Sequence, residues 1–158
     1  MKKRDLTIER ITACMVMESE CSGVFHIMAL DFPDEKELWS RIAAGEEQRA
    51  EIIAQGMGLR PSTEYGVSPE FIHIRKTIDY ASEIKKVLVE GKVSLKDALG
   101  MVIRLREYKK LGYSSDLLGK ERDERVKKVF RRLFELDEAH AALIRSVAER
   151  YGLDVPRN

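Results

Sequence analysis

Apolar residues recur at three- and four-residue intervals through most of this chain. Ile8, Ile11, Met15, Phe25 and Phe32 share one line of a first helix. Leu38, Ile42, Ile53 and Met57 share a line of a second, and Val126, Phe130, Leu133, Ile144, Val147 and Tyr151 a line of the last. A 3.6-residue period puts such residues on one face. Each stripe is interrupted by polar groups: Glu18 on the first, Glu46 and Arg49 on the second, Asp137 and His140 on the last. A carboxylate or an imidazole on a core face costs several kcal/mol unless something pairs with it. The pattern therefore predicts a polar site buried inside a helical bundle.

Punctuation residues divide the chain further. The first helix is expected from about Asp5 or Thr7 to Leu30, broken by Phe32-Pro33. Asp34 reads as an N-cap with Glu37 in the capping-box position, opening a helix to about Gly56. The stretch 58–69 is rich in Gly, Pro, Ser and Thr and reads as a loop. Ser68-Pro69 restarts a helix that carries Phe71, Ile74, Ile78, Ala81 and Leu88 to Gly91. Ser94 with Asp97 opens the next, through Ala98, Val102, Leu105 and Leu111, with Gly112 and Gly119 marking its end. The last runs from about Glu121 to Tyr151, stopped by Gly152 and Pro156. No segment alternates as a strand would, so the fold class is all-α.

Length and composition narrow the picture. At 158 residues the chain is expected to form a single domain, 1–158, with enough surface to bury its own core. Hydrophobic residues make up 44% and charged residues 35%, and the net charge is +1. So balanced a chain has no broad field for nucleic acid or membrane, and the mixed signs of Glu121 to Arg132 read as a solvated face. The basic Met1-Lys2-Lys3-Arg4 start is followed by Asp5, Glu9 and Arg10 rather than by a signal core, which makes a cytoplasmic location the expectation. Cys14 and Cys21 lie about 10 Å apart along one helix, too far to bridge, and read as small buried hydrophobes.

An internal repeat sharpens the site. LWSRIAAGEEQRA (38–50) aligns with VFRRLFELDEAHA (129–141), setting Glu46 on Asp137 and Arg49 on His140. Two helix pairs, each with an inward carboxylate followed by an inward acid-x-x-base helix, is how a di-iron carboxylate bundle is built. The chain resembles the ferritin-like superfamily, and within it the rubrerythrin-type domain. Met17-Glu18-Ser19-Glu20, with Phe25 seven residues after Glu18, resembles the first-helix motif. Ala43 to Arg49 is similar around Glu46, although Arg49 stands where the family has His. Val93 to Leu99, followed by Glu107-Tyr108, is similar to the third-helix region, and Asp137 and His140 occupy the Glu and His positions of the fourth.

The resemblance implies a ferritin-like four-helix bundle with a long crossover containing an extra helix. It also implies a metal site of Glu18, Glu46, Glu107, Asp137 and His140, holding one or two iron ions or manganese, with Arg49 as a catalytic group that polarises bound peroxide or fixes a carboxylate. The implied activity is a peroxide- or dioxygen-linked oxidoreduction. It would require an external electron donor, since no paired CxxC module is present. A homodimer is the expected assembly. Two departures point elsewhere. Arginine has no lone pair for a metal, and Asp137 is one methylene shorter than Glu. The Glu18, Glu46 and Arg49 half then reads as an ion-pair cluster in which the guanidinium replaces a metal charge. Asp137 with His140 reads either as a ligand pair or as a hydrogen-bonded buried pair, and Glu107, off the centre of its stripe, as ligand or solvated acid. His26 and His73 read as partly exposed structural residues. The alternative function is a metal-free scaffold that works as a binding or regulatory module.

Overall fold

The computed structural model describes residues 6–56, 58, 67–119 and 121–153. Their elements are α1 (Leu6–Asp31), a short 3-10 turn (Pro33–Glu35), α2 (Lys36–Gly56), α3 (Ile72–Val89), α4 (Leu95–Leu111) and α5 (Glu124–Arg150). A wide π-helical turn (Gly112–Leu118) continues α4. Among the described residues every regular element is helical, as the periodicity predicts.

α1 packs along both α2 and α3, α3 along α4, and α5 closes the bundle against α4, the wide turn and α2. α1 is long and apolar enough to cross a membrane by composition alone. Its apolar residues have another use here, because Cys14, Met17, Cys21, Val24, Phe25 and Met28 are all buried in the core. α3, expected as an extra helix in the crossover, is a full member of the bundle and buries Ile74, Thr77, Ala81, Ile84 and Leu88.

Helix ends follow local chemistry, with some departures from expectation. Ser94 caps α4 as predicted, accepting from the Asp97 backbone N–H at 3.1 Å. Asp34 is not an N-cap: Pro33 starts the 3-10 turn, Asp34 lies inside it, and α2 begins at Lys36. Ser68 caps only a turn, its Oγ accepting from Glu70 N–H at 3.4 Å, and α3 starts later, at Ile72. The first turn of α3 is capped from a distance, by Asp116 Oδ2 accepting from the N–H of the buried Ile74 at 2.8 Å. Such orphan N–H groups need a partner.

α5 begins at Glu124, three residues after the expected Glu121, because Asp123 accepts from Arg125 N–H at 2.9 Å. It ends in a Schellman motif, with Leu153 N–H on Ala148 O at 2.8 Å, Gly152 N–H on Glu149 O at 3.1 Å, and Gly152 at φ +63°. Tyr151, predicted on the core stripe, is instead the exposed C-cap. Ile8 is likewise exposed. Met57, Pro156, the basic start at 1–4 and most of the predicted 58–69 loop lie outside the described residues. Gly112 is the C-cap of α4, as expected, and opens the wide turn that follows. It lets that helix press against α3 and α1, where a Cβ would lie 3.2 Å from Ile74 Cγ1 and 3.4 Å from Met17 Sδ.

Candidate functional site

The polar interruptions of the three stripes meet in the middle of the bundle. Glu18 from α1, Glu46 and Arg49 from α2 and Asp137 from α5 are all buried. So is a residue the sequence reading passed over, Lys109 of α4, which is 1% exposed. Its ammonium donates to Glu18 Oε2 at 2.7 Å, to Asp137 Oδ1 at 3.4 Å and, by a very short contact, to Glu46 Oε2. An ammonium has three donors and no acceptor, so three carboxylates on three helices use Lys109 fully.

Arg49 forms the second cationic centre. Its Nη1 lies 3.1 Å from Asp137 Oδ1, 3.3 Å from Glu46 Oε1 and 3.9 Å from Glu18 Oε2. Its Nη2 donates to His140 Nδ1 at 3.1 Å and to the Leu136 carbonyl at 3.4 Å. The same His140 Nδ1 lies 3.6 Å from Glu46 Oε1. Outside these two cations, Arg106 Nη2 reaches the Asp137 carbonyl at 2.9 Å and Asp137 Oδ2 at 3.1 Å. Tyr113, the second residue of the wide turn, donates its hydroxyl to Glu18 Oε1.

Protonation follows from this geometry. Burial, then the neighbouring Glu46 carboxylate, pushes the Glu18 carboxyl well above the usual range. Burial opposes ionisation of Glu46 and Asp137 too, but it is outweighed at Glu46 by Lys109, by hydrogen bonds with Glu18 and His140 and by Arg49, and at Asp137 by Lys109, Arg106 and Arg49, so both are held below the usual range, Glu46 strongly so. Glu18 and Glu46 also share a hydrogen bond. A protonated Glu18 donating to an ionised Glu46 accounts for the opposite directions of the two. Lys109 is depressed by burial but raised overall by Asp137, Glu18 and Glu46, and Arg49 likewise by Glu46, Glu18 and Asp137. Burial, then Glu18, keeps the Tyr113 phenol protonated far up the pH scale. With Glu18 neutral, the two buried cations balance the two buried anions.

The repeat predicted from sequence has a geometric counterpart. Arg49 and His140, aligned in the two halves, touch each other, and Glu46 and Asp137, also aligned, share Lys109 and Arg49. Gly45 makes room for this. A Cβ there would lie 2.7 Å from His140 Cε1 and 2.9 Å from Nε2.

Glu107 goes elsewhere. It is half-buried and lines a small cleft between α4 and α5 with Arg106, Lys110 and Glu138. The residue of α4 that joins Glu18, Glu46 and Asp137 is Lys109. A signal for it was present: Ala98, Val102, Leu105, Lys109, Gly112 and Asp116 follow one i+4, i+3 series, and all are buried. His26 and His73 stay outside the cluster, His26 as an exposed partner of Glu47 at 2.6 Å. Cys14 and Cys21 are buried free thiols, pushed up first by burial.

Glu46, Asp137 and His140 each offer one ligand atom, all within 4.8 Å of one another, a group that could hold a metal ion. Iron or manganese would find O and N donors there. In this arrangement those donors are already engaged: Glu46 and Asp137 by Lys109 and Arg49, and His140 Nδ1 by Arg49. A metal would have to displace two charged side chains, so the residues as arranged do not fit the two-metal centre that the resemblance implies. Searches of family models, curated proteins and solved structures found no match to this chain.

Proposed function

We propose that this chain is a metal-free bundle of ferritin-like design that works as a binding module rather than as a redox enzyme. The observation that carries the reading is the Lys109 ammonium set among Glu18, Glu46 and Asp137, with Arg49 beside it. In a di-metal carboxylate bundle two divalent ions neutralise such carboxylates. Here two organic cations, together with a proton on Glu18, do so. A fixed ammonium and guanidinium have no accessible redox states and no open coordination position. The cluster therefore supports fold specificity, a role in which buried polar networks are known to serve in some proteins.

A single metal ion on Glu46, Asp137 and His140 is the competing reading, supported by the convergence of their ligand atoms. Elemental analysis after anaerobic incubation with ferrous iron, and separately with manganous ion, distinguishes the two. The metal-free reading expects no stoichiometric metal and a melting temperature unmoved by chelator. One bound ion per chain, lost in Asp137→Asn and His140→Ala, would overturn it.

A further inference from the structure

α3 carries a face that its own bundle does not use. Ile72, Arg75, Lys76, Asp79 and Glu83 follow one line of the helix and are all exposed, Ile72 to 66%. They border an open groove of about 420 Å³ between α3 and α4, whose walls include the half-buried Tyr80 and Tyr108. The two rings meet edge to face at 5.2 Å, and the Lys76 ammonium lies 4.7 Å over Tyr108.

The order of charge along this face is its informative feature. Both cations precede both anions. Among the described residues no ion pair joins Arg75 or Lys76 to Asp79 or Glu83. A cation placed four residues before its anion, as Arg75 is before Asp79, is the weaker orientation on a helix. Asp79 and Glu83 in turn set like charges one turn apart. The face is therefore poorly arranged for the helix by itself. It is neutral in sum and split into a basic half and an acidic half.

We propose that this face binds a second copy of the chain, with the two α3 helices antiparallel across a two-fold axis. Such an axis makes the same patch serve both sides, and a patch split by charge complements itself only when reversed. An axis passing between Lys76 and Asp79 sets Lys76 of each copy opposite Asp79 of the other. Arg75 then stands opposite position 80 of the other copy, about 4.5 Å of helical rise from Glu83. A parallel pairing would set like charge on like. α3 has 18 residues, or about 27 Å of length, which is enough to carry both pairs and the exposed Ile72. Ile72, Tyr80 and Tyr108 supply apolar contact, and tyrosine and arginine are residues in which interfaces are enriched. Because the patch holds both halves of what it needs, its charge favours a copy of this chain over an unrelated protein. This dimer needs nothing from the metal-free reading of the core.

The test is sedimentation velocity of the full chain over a range of protein and sodium chloride concentrations. The expected result is a concentration-dependent dimer that added salt weakens. Lys76→Glu and Asp79→Lys should each weaken it by about tenfold or more, since each change places two like-charge contacts across the axis. Both changes in one chain should restore the dimer, because the charges are then exchanged and not lost. The two positions are exposed, and thermal melts of each variant check that it folds. A chain that stays monomeric at every concentration would overturn the proposal, whatever other protein it holds in a lysate. So would a dimer that neither reversal weakens, or one that the combined variant fails to recover. Metal uptake in the elemental analysis would sink the reading of the core and leave this interface standing.

Discussion

Lys109 Nζ donates to Glu18 Oε2 at 2.7 Å, although the two residues lie 91 positions apart. The contact ties α1 to α4, and the same ammonium reaches α2 and α5 through Glu46 and Asp137. Removing one partner of a buried ion pair leaves an uncompensated charge and costs about 3–5 kcal/mol. Lys109→Met should therefore lose stability in that range in urea unfolding at neutral pH. Adding Glu18→Gln and Glu46→Gln to it should recover part of the loss, because the stranded carboxylates go with the lysine. A Lys109→Met protein as stable as the parent would mean the ammonium is not buried among these groups.

Opposite shifts within the cluster give stability two pH regimes. Glu46 and Asp137 titrate below the usual carboxylate range of about 4, so their contribution is present above that range and is lost as pH falls through their folded values. Glu18 is raised by burial. Its folded form holds a proton that the unfolded chain has released, so its contribution is full below about pH 4 and declines as pH rises towards its folded value. Glu18→Gln, which resembles the protonated acid, should flatten this decline and leave the acid limb unchanged. Glu46→Gln should do the reverse, losing about 3–5 kcal/mol at neutral pH and much less in acid. Denaturant melts across pH for the two variants check both signs.

Gly45 is held to glycine by the His140 ring, 2.7 Å from where a Cβ would stand. Gly45→Ala should cost about 1–3 kcal/mol, the range for overpacking. His140→Ala in the same chain should relieve it, and a double-mutant cycle on unfolding free energies measures that coupling. Additive effects would show that the two residues do not meet.

Asp116 serves the first turn of α3 from 42 residues away, through Ile74 N–H. Asp116→Ala should destabilise the fold by about 1–2 kcal/mol, as for loss of an N-cap. Hydrogen exchange should speed up first at the amides of residues 72–75. Uniform loss of protection would assign Asp116 some other role.

The sequence alone determined the helical class, the elements within a few residues, and the inward placement of Glu18, Glu46, Arg49 and Asp137. These follow from a 3.6-residue period and from caps such as Ser94, which act within a turn. Helix starts controlled from elsewhere, such as that of α3 under Asp116, were not legible, because their partner is remote in sequence. Only the tertiary structure decided the chemistry of the site. Lysine is usually a surface residue, and Lys109 enters the core because three other helices bring carboxylates to its ammonium. Two positions earlier, Glu107 rotates out of the stripe, since residues two apart on a helix face different ways. The pattern located a buried charge cluster, and the packing of four helices set which cations fill it.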